Sequence, residues 1–189
     1  MEDSDIKIFG AQPKPDEEAD ELRLIRQMET QRANGNIDKA AKLGDYLSDI
    51  FLNEDELLRR LSAEVGALDY PAAVIHQIKI LMFFAAEYCI NRELPNTILK
   101  STAINALYGN IKYGDAAFYE EFSDGGEYSF YYLAMRKETR NVLQEIGRTF
   151  SMLCGKEDDP AFVELGRRLF NLTEEEVENI IQIFDFKTM

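Results

Sequence analysis

Hydrophobic residues recur along the chain at helical spacing, and turn-forming residues divide it into pieces of helix length. Apolar positions three and four apart are typical of amphipathic helices. A strand within 128–133 is a weaker alternative, because the same residues continue into a helical pattern at Met135 and Leu143. The sequence therefore predicts an all-α fold: a single multi-helix bundle of about nine helices.

Three of the predicted helices are expected to form the core of the bundle. They lie near 71–91, 95–112 and 129–154, and the last of these is the longest. Residues 1–15 contain two prolines and are expected to form a flexible N-terminal arm. Residues 16–189 are expected to form one all-helical domain.

Cap residues define several of the predicted boundaries. Gly35 is expected to end the first helix, and Asn36 to be the N-cap of the second. Asn53 is expected to open the third helix, since Glu56 follows it at capping-box spacing. Thr173 with Glu176 has the same spacing and predicts the start of a ninth helix.

The first predicted helix has acids in its first turn and an apolar face. Leu22, Ile25 and Met28 lie on one side of it. Acidic residues near a helix N-terminus are favoured by the helix dipole. The pattern predicts an amphipathic helix.

The net charge of the chain restricts the partners that we expect, and it has little bearing on the expected fold. The chain carries 35 acidic and 21 basic residues, a net charge of -14. Eleven of these negative charges lie in the two ends, 1–21 and 156–189, and the middle of the chain carries only -3. Nucleic acids and anionic membranes require a basic face, so we expect neither as a partner.

The N-terminal residues do not resemble a secretory signal, because acids stand where such a signal has Lys or Arg. The most apolar stretch, 71–90, contains four polar residues, and an ionisable group at the centre of a bilayer costs roughly 2.5 kcal/mol or more. We therefore expect a buried core helix and a cytoplasmic protein.

Three polar residues of the helix at 71–91 form the first candidate site. Lys79 lies 60° to one side of His76 around the helix and Glu87 about 20° to the other, at 100° per residue. A base, a cation and a carboxylate on one face are suited to bind an anion or to move a proton. The alternative is a solvent-facing side of a structural helix.

A tyrosine-rich window forms the second candidate site. Nine of the 21 aromatic residues fall within 108–132, together with four glycines. Tyrosine combines an apolar ring with a hydroxyl group and suits both ligand pockets and protein interfaces. The alternative is that the rings fill the core. The candidate residues in this window are Tyr108, Tyr113, Tyr119, Tyr128, Tyr131 and Tyr132.

No motif for catalysis, metal binding or cofactor binding is found. One histidine and two cysteines 65 positions apart supply no recognised metal site, and the glycines match no phosphate or dinucleotide fingerprint. The leading hypothesis is a non-enzymatic protein-interaction module, which binds a protein partner or itself. The alternative is a small-ligand-binding protein or enzyme, with a pocket between segment 108–132 and helix 71–91.

Overall fold

The computed structural model describes residues 15–66, 70–124, 126–136 and 141–187, apart from a few side chains. These ranges contain nine α-helices and no strand, which confirms the predicted all-α bundle. The helices are α1 (Pro15–Ala33), α2 (Asn36–Leu52), α3 (Glu54–Val65), α4 (Ala72–Glu93), α5 (Thr97–Gly114), α6 (Ala116–Asp124), α7 (Glu127–Arg136), α8 (Val142–Leu153) and α9 (Pro160–Phe184). The arm predicted for 1–15 lies outside the described residues, except for Pro15.

Helix α4 is the centre of the bundle and contacts α5, α7, α8 and α9. Thirteen of its residues are buried, including Phe83 and Phe84, which have no exposed surface. Among the described residues, α4 is also the one helix whose length and composition would allow it to cross a membrane, and 72% of its most apolar window is buried within the bundle. Burial on every side explains why its apolar residues follow no single stripe.

Two helix pairs pack closely because glycines remove side chains between them. A Cβ atom on Gly44 of α2 would lie 2.3 Å from the carbonyl oxygen of Ala103 on α5. A Cβ atom on Gly147 of α8 would lie equally close to the carbonyl oxygen of Val163 on α9. These contacts add α2 and α9 to the core that the sequence predicted.

The single helix predicted for 129–154 is wrong, because its two ends form separate helices, α7 and α8. The side chain of Asn141 accepts a hydrogen bond from the amide of Gln144 and caps α8. An N-cap residue has non-helical backbone angles, so a helix cannot continue through it. The hydrophobic residues keep helical spacing across this boundary, so their pattern does not reveal it.

The start of a new helix at Thr173 is also wrong, because α9 continues through it. Thr173 is buried, and its hydroxyl donates a hydrogen bond to the carbonyl oxygen of Leu169, one turn earlier. A threonine inside a helix can donate its hydroxyl to the carbonyl oxygen four residues earlier, so its presence does not by itself mark a helix start. Asn36 is likewise no N-cap: Gly35, in the left-handed region at φ 75°, precedes α2, and Asn36 is its first residue.

Candidate functional site

The first candidate residues are divided between two places on α4. His76 and Lys79 line an open cavity of about 470 Å³ between α4 and α6, whereas Glu87 lies in a cluster of tyrosines. Phe83 lies between the two places, since its ring contacts both Phe118 of the cavity and Tyr108 of the cluster. The polar stripe is therefore two separate environments joined by an aromatic core.

Three tyrosine hydroxyls surround the carboxylate of Glu87. Tyr108 of α5 and Tyr128 of α7 both donate to Oε2, and Tyr132 of α7 donates to Oε1 at 2.7 Å. Phe84 of α4 contacts the rings of Tyr128 and Tyr132 edge-on. We call Glu87 and these three tyrosines the Glu87 cluster. It ties α4 to α5 and α7.

Burial is the main cause of the altered titration of these tyrosines. It raises the pKa of Tyr108, Tyr128 and Tyr132 above its usual range, and the negative charge of Glu87 adds to the effect. The hydroxyls consequently stay protonated and remain donors. A carboxylate that accepts from three fixed donors is suited to hold helices together.

The other candidate tyrosines lie outside this cluster. Tyr131 is fully buried and stacks on Phe84, and its hydroxyl has no hydrogen-bond partner within the described residues. Tyr119 is half-buried, with the ammonium of Lys112 over its ring at 5.6 Å. Tyr113 is 91% exposed and joins neither site.

The cavity at His76 has an aromatic wall and a mixed set of charges. The imidazole of His76 and the ring of Phe118 meet edge-on at 5.7 Å, and the ammonium of Lys79 lies 4.7 Å from the centre of the same ring. The ammonium also lies 3.5 Å from Glu54 and 3.4 Å from Asp115. Lys79 is thus largely buried and already paired.

The imidazole of His76 faces two carboxylates. Its Nδ1 atom lies 3.5 Å from Glu121 of α6, and its Nε2 atom lies 3.7 Å from Glu127 of α7. Gln77 donates a 3.0 Å hydrogen bond to the same Glu127 oxygen. These contacts connect α4 to α6 and to the first residue of α7. Among the residues that line the cavity, Glu54, Asp115 and Glu121 outnumber Lys79, so the cavity has an excess of negative charge.

Sequence reasoning missed the cavity residues contributed by α3 and α6. Asp115 has a recognisable signal, because its Oδ1 atom caps α6 by accepting from the amide of Phe118. Its Oδ2 atom faces Lys79, and that contact depends on the packing of α4 against α6. Glu54 and Glu121 carry no local signal of this kind.

Neither cysteine has the features of a nucleophile. Cys89 is fully buried and Cys154 is half-buried, and burial raises the pKa of each thiol to about 12. Reactive cysteines require the opposite shift, toward the thiolate. Among the described residues, no group of His, Cys, Asp and Glu side chains is arranged to hold a metal ion.

A larger cavity of about 610 Å³ lies between α3 and α9 and contains none of the predicted site residues. Its apolar floor includes Leu61, Leu172 and Ile180. It is open to solvent, and none of the described side chains that line it has a buried polar atom without a hydrogen-bond partner. The shape of this cavity alone does not indicate a chemical function.

Helix α1 has an apolar face that the described residues of the bundle leave exposed. Four large apolar side chains are exposed: Leu22 by 56%, Leu24 by 49%, Ile25 by 51% and Met28 by 40%. Of the side chains from residue 20 to residue 30, only Gln27 is partly buried. The predicted apolar face of the first helix therefore exists, but no described part of the chain covers it.

Hydrogen bonds among Asn36, Gln31 and Lys187, which we call the latch, fix the C-terminal end of α1 to the bundle. The side-chain amide of Asn36, fully buried, donates to Gln31 of α1 at 2.7 Å and to the carbonyl oxygen of Lys187 at 2.9 Å. Its oxygen accepts from the amide of Lys187 at 3.1 Å. The latch connects α1, α2 and the residues after α9, so that the rest of α1 projects from a fixed base.

Comparisons with protein-family models, with curated proteins and with solved structures find no match for this chain.

Proposed function

We propose that the protein is a protein-interaction module, and that it binds another protein chain through the exposed apolar face of α1. The observation that carries the proposal is the exposure of Leu22, Leu24, Ile25 and Met28 on a single helix. Single exposed apolar residues are ordinary on protein surfaces, whereas a group of large ones on one element indicates an interface.

The stability of α1 supports the same proposal. A helix of 19 residues is about 28 Å long, and most of the stability of helices in proteins comes from tertiary packing of an amphipathic face. Most of α1 has no such packing within the described chain. A partner that covers its apolar face would supply the missing stabilisation.

The charged side chains that could take part in catalysis are already paired with other groups of the bundle. This pairing favours binding over catalysis. The Glu87 carboxylate is occupied by three hydroxyls, and Lys79 is paired with Glu54 and Asp115. The proposal includes no cofactor. The net charge of -14 also makes nucleic acids and anionic membranes poor partners for such a module.

A second candidate function is small-ligand binding, which the cavity at His76 favours. Its lining comes from α4, from residues 115–121 and from Glu54 and Tyr70, and none of the six candidate tyrosines lines it. Thermal-shift screening against a metabolite library tests it. Stabilisation by a metabolite should disappear in Glu121→Gln and persist in Glu120→Gln, an exposed neighbour that does not line the cavity. No stabilisation across the library contradicts this candidate.

Site-specific photo-crosslinking tests the interaction module in cells that make the protein. A photoreactive amino acid at Leu22 or Ile25 should give a covalent adduct of one discrete mass, and the same group at Tyr113, which is exposed at the end of α5, should give none. The adduct partner is then purified and must bind the wild-type chain but not Leu22→Asp. Absence of a discrete adduct at both α1 positions contradicts the proposal.

A further inference from the structure

The apolar face of α1 has a spacing that is symmetric about its centre. Leu22, Ile25 and Met28 are three residues apart, lie within about 120° of the helix surface, and are all exposed. If two copies of α1 pack antiparallel with the two-fold axis at Ile25, each Ile25 meets the same residue of the other copy. In that register Leu22 of each copy lies opposite Met28 of the other.

Formal charge along α1 selects the antiparallel arrangement. Residues 16–21 contain five acids and no base, whereas residues 23–32 contain three bases and one acid. In this register an antiparallel pair places residues 16–21 of each helix opposite residues 29–34 of the other, which carry one acid and one base, whereas a parallel pair places the two acidic segments 16–21 together. Repulsion between like charges beside an apolar seam therefore disfavours the parallel pair.

We infer that α1 docks against α1 of a second copy of this chain, as an antiparallel two-fold helix pair centred on Ile25. The inference rests on the proposed function and names the partner of the same surface. A two-fold interface uses one patch on both copies, which requires a self-complementary patch of the kind found on α1. One helix pair is small for a protein interface, so we expect a dissociation constant in the micromolar range, roughly 1–100 μM.

The proposed register contains one unfavourable contact, which provides a gain-of-function test. Glu21 of each copy lies opposite Glu29 of the other, and both residues are exposed. Glu29→Lys replaces two symmetric repulsions with two attractions and should lower the dissociation constant about fivefold. The matched substitution Glu120→Lys, on the exposed surface of α6, changes the net charge equally and should have a much smaller effect.

Cysteine pairing tests the orientation directly. Leu22→Cys and Met28→Cys chains are purified separately, mixed in equal amounts and oxidised mildly; the native thiols react slowly because burial raises their pKa to about 12. The antiparallel pair predicts that the mixed disulfide exceeds both homodimers together. Circular dichroism confirms that both chains keep wild-type helicity, and Tyr113→Cys gives the background rate for an exposed thiol.

Each outcome of the cysteine experiment decides the inference. An excess of the mixed disulfide supports the antiparallel pair. An excess of homodimers, or crosslinking no faster than that of Tyr113→Cys, overturns it. If the photo-crosslink at Leu22 then yields an adduct with a different protein, the interaction module stands and only the second-copy partner is rejected. If neither experiment yields an adduct, both are rejected.

Discussion

Helices α4 and α1 are both long and carry large apolar side chains, yet their surroundings differ. Most apolar residues of α4 are covered by other helices of the same chain, and thirteen of its 22 residues are buried. Those of α1 stay exposed, although they lie on one face as a core-facing helix would have them. Within the described residues, the chain covers most of the apolar surface of α4 and leaves the apolar face of α1 exposed.

The largest expected effect comes from the centre of α4. Phe83→Ala should lower the free energy of unfolding by about 3–5 kcal/mol, because the ring is fully buried and its loss leaves a cavity among five other rings. Those rings are Phe51, Tyr108, Phe118, Phe122 and Tyr128. Urea unfolding at low protein concentration measures it. In the same assay Ile25→Ala should change stability by less than about 0.5 kcal/mol; equal losses would remove the contrast between the helices.

The second effect is alkaline destabilisation through the thiol of Cys89 on α4. Burial raises its pKa to about 12, against about 8.5 in the unfolded chain. As the pH rises, the unfolded state therefore loses this proton first. The contribution of the buried thiol to the free energy of unfolding is fully present below pH about 8.5 and is lost as the pH rises toward 12. At pH about 10 the loss is about 2 kcal/mol. Unfolding measured across this range should show a smaller decline in Cys89→Ala, and identical declines in the two proteins contradict the assignment.

The third effect comes from the latch at the base of α1. Asn36→Ala should cost about 1–3 kcal/mol, because it leaves the amide and carbonyl oxygen of Lys187 without their partner and removes the bond to Gln31. Hydrogen exchange should speed up at the amide of Lys187. Asn110→Ala, which removes an exposed hydrogen bond to Asp45 and a partly buried one to Ser48, is the control and should cost less. Equal losses would show that the latch has no special role.

A smaller effect is expected at the Glu87 cluster. Glu87→Gln keeps the shape of the side chain but replaces one accepting oxygen with a donor, so at least one tyrosine hydroxyl loses its acceptor. The expected loss is about 1–2 kcal/mol, reduced by the partial exposure of Tyr132. Thermal unfolding measures it, with Glu120→Gln as the control. An unchanged midpoint would show that the cluster does not hold α7 in place.

Local signals in the sequence predicted most of the fold and little of the site. Asn53 accepts a hydrogen bond from the amide of Glu56 in the first turn of α3, and such a cap depends on neighbours along the chain. The break at Asn141 was missed because the apolar period continues across it. The spacing of Thr173 and Glu176 predicted a helix start that the structure does not have. A Thr three residues before a Glu can stand inside a helix as well as at its beginning, so the spacing alone does not distinguish the two.

The contacts of the candidate residues depend on packing between distant helices. The sequence indicated that Glu87 and the tyrosines between 108 and 132 are notable. It could not indicate that three of them meet the carboxylate while Tyr113 faces solvent. For α1 the apolar face was predictable from its spacing, but its exposure was not, because burial is determined by what packs against a helix.

The smallest expected effect on the single chain is also the most informative, because it belongs to α1. The double substitution Leu22→Ser with Ile25→Ser removes exposed apolar surface and should change the stability of the monomer by less than about 0.5 kcal/mol. Sedimentation equilibrium measures the consequence for association. The wild-type chain should change from 21.7 kDa to twice that mass as its concentration rises through the micromolar range, and the double variant should remain at 21.7 kDa. A wild-type chain that remains monomeric at roughly 500 μM, or a double variant that dimerises equally well, would contradict the pairing of α1 between two copies.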